Sequence, residues 1–197
     1  MPCNQFPSTR RHKTWGHVTI LFALIALALA ALPTASFAGT DTAGNVLATE
    51  SDSNPSGVEG DLYWAGQSLN LDDASIDRDV IAAGDSLSIR DCTVGGAVRL
   101  AARTIDIAKT AIGGSVTVVG QHVVLNTDST ASCFYAMGET VALRGSAKSA
   151  ALAGDTVTID GTVDGDVEVW ADKLILGKNA RITGTVNAHV SEDPERA

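Results

Sequence analysis

A six-residue segment occurs seven times between residues 66 and 176, and it limits what this chain can fold into. Gly66-Gln-Ser-Leu-Asn-Leu71 returns as Gly84-Asp-Ser-Leu-Ser-Ile89, Ala102-Arg-Thr-Ile-Asp-Ile107, Gly120-Gln-His-Val-Val-Leu125, Gly138-Glu-Thr-Val-Ala-Leu143, Gly154-Asp-Thr-Val-Thr-Ile159 and Ala171-Asp-Lys-Leu-Ile-Leu176. The copies open at positions 66, 84, 102, 120 and 138, then slightly closer together at 154 and 171. Such a period is too short for a pair of helices and suits one coil of a parallel β-solenoid.

A second stripe of alternating apolar residues precedes each segment. It runs Leu62-x-Trp64, Val80-x-Ala82, Val98-x-Leu100, Val116-x-Val118, Phe134-x-Ala136, Ala150-x-Leu152 and Val167-x-Val169, and Val186-x-Ala188 begins an eighth. A third column holds one residue per coil: Ile76, Val94, Ile112, Thr130, Ser146, Val163 and Ile182. A period of 2 places these columns on the inner face of short strands. Each coil then has three short strands, pairs with the coils on either side, and turns Asp, Thr, Ser, Arg and Gln outward. The Gly or Ala closing each stripe fits a tight corner. Aromatic residues are only 5 % of the chain, which suits a narrow core with little room for rings.

Apparent chemical motifs dissolve into the repeat. Gly84-Asp85-Ser86-Leu87 spells the signature of the GDSL hydrolases, but that family also needs a later Asp-x-x-His, which is absent. A Ser without a base in reach is not an activated nucleophile. Beyond the N-terminal region the histidines are His122 and His189, almost four coils apart and unable to share a metal. Asp72-Asp73 and Asp164-x-Asp166 are read as solvated corner acids, since the Gly-Gly-x-Gly-x-Asp pattern of calcium-binding β-rolls does not occur. Gly95-Gly96 and Gly113-Gly114 are corners without the Lys and helix of a phosphate loop. Cys92 and Cys133 lie more than two coils apart, beyond the roughly 7 Å that a disulfide spans. Neither cofactor, metal nor small-molecule substrate is expected, and the reading is non-enzymatic. Pectin-cleaving β-helices build their sites on long loops, and hexapeptide acyltransferases use three equal sixes with a catalytic His. The coils here keep one short period without loop insertions, and they fit neither.

The segment Gly165-Asp-Val-Glu-Val-Trp-Ala-Asp-Lys-Leu-Ile-Leu-Gly-Lys-Asn-Ala-Arg-Ile-Thr-Gly-Thr-Val-Asn-Ala188 resembles a bactofilin domain. The likeness is good over about 154–188 and looser over 60–153. It implies a right-handed parallel β-helix between flexible tails that assembles end to end without nucleotide. Bactofilins are cytoplasmic, whereas the start of this chain reads as an export signal. Arg10, Arg11 and Lys13 form a basic n-region, Val18–Leu32 is an apolar run, and Ser36-Phe37-Ala38 offers a cleavage site before Gly39. An uncleaved anchor is the rival reading, although the run is shorter than the ~20 residues that span a bilayer comfortably. Loss of residues 1–38 removes three basic residues and no acidic ones, leaving 11 basic against 23 acidic, a net charge of −12. That disfavours nucleic acid or an anionic membrane surface as a partner through bulk charge.

The sequence therefore predicts an all-β, single-stranded parallel β-helix of about seven coils over residues 60–190. A signal or hydrophobic helix (1–38) and a flexible linker (39–59) precede it, and a charged tail (191–197) follows. The expected partner is a second copy of the chain, with a membrane or envelope partner also open. End-to-end contacts are expected at Leu62, Trp64, Val186 and Ala188, where no capping helix closes the column. A second surface is read from the outward position before each corner: Ala65, Ala83, Ala101, Val119, Met137, Ala153, Trp170. Val119, Met137 and Trp170 are its largest members and the expected lateral contact. The alternatives are a monomeric exported binding module or a degenerate carbohydrate-active β-helix.

Overall fold

The computed structural model describes residues 39–49, 55–191 and 195–196. The apolar run, the cleavage site and the expected N-terminal helix lie outside these residues. The described chain is all-β, a solenoid of about 8 turns with no helix.

Three parallel faces run the length of the column. Face one begins with Val46–Thr49 and Leu62–Ala65 and ends with Val186–Val190. Face two begins with Ser68–Asp72 and continues through the second halves of Val80–Arg90 and Val98–Ala108. Face three consists of two-residue strands such as Ser75–Ile76, Thr93–Val94 and Ala111–Ile112. Register follows the repeat: Val80 stands level with Leu62 and Val98, and Leu87 with Leu69 and Ile105.

The inward columns form one continuous core. Leu62, Val80, Val98 and Val116 are 0 % exposed, as are Leu71, Ile89, Leu125 and Leu143 on face two. Face three adds Ile76, Val94, Ile112 and Val163. Each side chain touches its counterparts one coil above and below, so burial accumulates along the axis.

The segment 39–59, expected to be a linker, instead contributes a further coil. Val46–Thr49 pairs in parallel with Leu62–Ala65, and Gly57–Val58 with Ser75–Ile76. Val46-x-Ala48 is another copy of the Leu62-x-Trp64 stripe and Val58 of the third column, hidden by the polar, Pro-containing stretch between them. At the other end Glu195–Arg196 pairs in parallel with Ile175–Leu176, so the expected charged tail contains a strand of face two.

The third column differs from expectation at two places. Thr130 and Ser146 point away from the core, and Ala131 and Ala147, 7 % and 3 % exposed, take their places. Ala111 is level with Thr130, and Ala131 with Ala147. In the other coils the third-column residue stands four before the face-one stripe, as Val94 does before Val98, but here this corner is one residue shorter. A one-residue slip turns every side chain to the opposite face.

The corner from face two to face three has its own backbone signature. Asp73, Asp91, Lys109 and Asp128 have φ of 52°, 51°, 49° and 62°. Asp tolerates this left-handed region through local hydrogen bonding, which explains three of the four. The next residue points inward: Ala74, Cys92, Thr110, Ser129. Thr110 Oγ1 donates to the Ala108 carbonyl at 2.9 Å, and Ser129 Oγ accepts from the Thr110 N–H at 3.3 Å. Thr110 and Ser129 are 0 % and 1 % exposed, so these bonds satisfy groups that water cannot reach. Between faces one and two the inward positions step from Val80 and Ala82 to Leu87 and Ile89, the odd step of a corner, and the coils approach closely there: a Cβ on Gly84 would lie 2.7 Å from the Gly66 carbonyl oxygen.

Two substitutions test this core. Ile107, 1 % exposed in mid-column, changed to Ala is expected to lose about 2–5 kcal/mol in urea unfolding followed by circular dichroism. Gly84→Val is expected to be at least as damaging, although it adds apolar surface, because the Gly66 backbone cannot move aside without breaking register.

Candidate functional site

The catalytic signature is taken apart by the fold. Ser86 is an outward residue of face two, level with Thr104, which is level with His122. Ser86 and His122 are thus two coils apart, roughly 10 Å, where a hydrogen bond needs about 3 Å. Asp85 is occupied by Arg103, which donates from Nε at 2.8 Å and Nη2 at 2.7 Å. Among the described residues no three His, Cys, Asp or Glu side chains are grouped to hold a metal ion. Cys92 is buried and unpaired, so it makes no bridge to Cys133. Its Sγ donates to the Arg90 carbonyl at 2.9 Å and accepts from the Ala74 N–H at 3.4 Å. Burial pushes its thiol pKa up, away from the reactive thiolate.

Asp72, Asp73 and Asp164 are exposed to solvent, whereas Asp166 belongs to a set of residues that tie one coil to the next. In several coils the residue before the face-one strand reaches along the axis to the neighbouring coil. Asn45 Oδ1 accepts from the Asp61 N–H at 2.7 Å, Asp61 Oδ1 from the Asp79 N–H at 3.1 Å, and Asp79 Oδ1 from the Ala97 N–H at 2.8 Å. Near the other end Asp166 Oδ1 accepts from the Thr185 N–H at 2.8 Å. Each bond satisfies a corner N–H that the strand ladder leaves over. The sequence carries a signal for this ladder: Asn, Asp, Ser or Thr precedes most opening residues of the Leu62-x-Trp64 stripe and its copies.

These bonds favour the charged carboxylate. Asp79 is held below its ordinary pKa by the Ala97 N–H and then by Arg99. Asp85 is lowered by Arg103, and Asp160 by the Asn179 N–H and side chain. Tyr63 is raised by the neighbouring Asp61 charge.

The four end residues do not behave alike. Leu62 and Trp64 are 0 % and 4 % exposed, because Val46–Thr49 covers them. They are interior, and the N-terminal end lies one coil earlier. There Gly39–Thr40 runs antiparallel along Val46 and Leu47. A tight turn fixes it: Asp41 Oδ1 accepts from the Ala43 and Asn45 N–H groups at 2.8 and 3.0 Å. At the C-terminal end Val186 is 38 % exposed and Ala188 is exposed too, whereas Val167 and Val169, one coil inward, are 1 % and 0 %.

The lateral residues do fall in line. Ala101, Val119, Met137, Ala153 and Trp170 occupy one outward column of face one, level from coil to coil. All are half-buried. Trp170 stacks on His189, with ring centroids 5.9 Å apart and planes 17° from parallel. The column continues through Ala65 to Thr49 at one end and His189 at the other.

The sequence matches no protein-family model, and neither a curated protein nor a solved structure is significantly similar to it.

The carboxylates give a pH test. A lowered folded pKa contributes stability above the ordinary carboxylate value, about 4, and that contribution is lost as pH falls through the folded value. Asp79, Asp85 and Asp160 all have this sign, so the urea midpoint is expected to drop between pH 5 and pH 2. Asp79→Asn is expected to be less stable at pH 7 and to show a shallower loss in acid.

Proposed function

We propose that this chain is a non-enzymatic, bactofilin-like scaffold that assembles end to end at the cell envelope, without nucleotide or metal. One observation carries the reading: the inward-facing positions of the last face-one strand are open, with Val186 38 % exposed, while the same positions one coil inward are closed. A strand at the end of a parallel column presents unpaired N–H and C=O groups beside an apolar stripe. That combination invites another strand to pair on it. Val186 and Ala188 are the residues that would be covered.

The two ends are unequal. The short antiparallel strand at Gly39–Thr40 occupies part of the first edge, so the first joining step falls to the C-terminal end. The family resemblance over 154–188 supports the same reading. The envelope location rests on the basic, apolar and small-residue pattern that runs from Arg10 to Ala38.

Sedimentation and negative-stain microscopy of the purified chain test the proposal. Dimers or rows are expected without added nucleotide and in the presence of a chelator. Val186→Asp combined with Ala188→Asp is expected to abolish them while leaving the circular dichroism spectrum unchanged, since both positions are exposed. A monomer at every concentration would instead favour a solitary binding module.

A further inference from the structure

The outer side of face one is poor in charge for a chain of formal net charge −9. Two columns of side chains cover it, from the second and fourth residues of each strand. The first runs from Leu47 through Tyr63 and Ile81 to Asn187; the second runs from Thr49 through Val119 to His189. Across both columns the only Lys, Arg, Asp or Glu residues are Arg99 and Glu168. Leu47 and Tyr63 are 46 % and 37 % exposed, so the face presents large apolar groups as well as small ones.

Arg99 and Glu168 stand in the same column, four coils apart. That is roughly 19 Å, so they cannot meet within one molecule. Glu168 makes no ion pair among the described residues. Arg99 spends Nη1 on Asp79, at 2.6 Å, and a guanidinium has further donors to offer.

Midway between the two charges lies the strand that holds Tyr135 and Met137. We propose that face one binds face one of a second copy with its solenoid axis reversed, about a two-fold axis along that strand. The operation places Arg99 of each copy opposite Glu168 of the other, twice, leaving no buried charge unmatched. It also sets Trp170 opposite Ala101 and Val119 opposite Ala153, large against small. Tyr135 and Met137 each face their own copy. A self-complementary patch of this kind is what a two-fold interface requires.

Charge decides the register. Centring on the strand of Thr117 would overlap more coils. It would also set Arg99 opposite Tyr135 and Glu168 opposite Tyr63, and an unpaired charge in a closing interface is costly. Size predicts strength. Seven coils of overlap, about 34 Å by 13 Å, give a flat footprint of roughly 450 Å² per copy, well under the ~800 Å² of a standard interface. A single pair is therefore weak, and copies already joined in rows would hold far more firmly because their faces act together.

This contact is independent of the end contact, and the test keeps them apart by using the full chain with Val186→Asp and Ala188→Asp in place. In that background, sedimentation at high protein concentration is expected to show a monomer–dimer equilibrium. Arg99→Glu or Glu168→Arg alone is expected to weaken it at least tenfold, and the two together to restore it within about twofold. Met137→Cys is expected to give a covalent dimer with a thiol–thiol cross-linker of about 10 Å reach, the spacing of packed sheets. Val119→Cys is expected to give several-fold less. The same chain without an added cysteine gives the background from its native thiols. If Arg99→Glu unfolds the chain, Glu168→Arg carries the charge test by itself. A strict monomer, a double swap no better than the single changes, or preferred cross-linking at position 119 would each overturn the proposal.

Discussion

Every coil is held by the backbone bonds it exchanges with the coils on either side. Leu62 takes its N–H bond to the Asp79 carbonyl, Val80 to that of Ala97, and Val167 to that of Thr185, always across one coil. Within a coil the three faces touch only through a thin core of inward side chains. A single coil therefore has neither closed backbone bonding nor a buried interior, and stability is a property of the stack. The same dependence makes the last coil a liability: Val186 has a neighbour on one side only.

The corners solve three different problems with three different side-chain devices. Before face one, Asn or Asp accepts an N–H from the neighbouring coil. Between faces two and three, a left-handed Asp or Lys turns the chain, and at Cys92 and Thr110 a buried thiol or hydroxyl ties up the carbonyl two residues back. Between faces one and two, glycine or alanine at the corner leaves room for the adjacent backbone. Outside these corners Arg90–Asp106, Arg99–Asp79 and Arg103–Asp85 link neighbouring coils at 2.6–2.7 Å. Exposed pairs contribute little energy each.

The solenoid was legible because its inward residues repeat at fixed offsets, and alternation along Leu87-Ser88-Ile89 can mean only a strand with one face buried. The first coil was not legible. Val46-x-Ala48 is a short match, and its partner column is carried by Val58 alone, beyond Pro55. Thr130 and Ser146 misled for a related reason. Ala131 and Ala147 are small, so apolar character could not choose between adjacent residues, and only backbone pairing did. Asp166 reads as solvated from the sequence, because one Asp before a strand looks the same whether its oxygen meets water or a neighbouring N–H. Of the two proposed contact surfaces, the lateral column is readable from spacing. The end was half readable: Val186 and Ala188 are open, whereas Leu62 and Trp64 became interior once the hidden coil was added.

Function in such a fold has few places to reside. The core is filled by Leu, Ile and Val, the corners are committed to hydrogen bonds between coils, and face three is two residues wide. What remains is the open end and the broad outer side of face one. These two surfaces point in perpendicular directions, so occupation of one does not block the other. An acidic chain repels its own copies at long range, and contact is easiest where its charge is sparse or balanced. Face one meets that condition with one Arg and one Glu, and the last face-one strand meets it with Val186, Asn187, Ala188 and His189. Each surface is small for a stable interface. Joined copies, however, present their faces at a fixed repeat, and the second contact then forms at the high effective concentration set by the first. If both proposed contacts form, a narrow column can become a cohesive array through two modest patches.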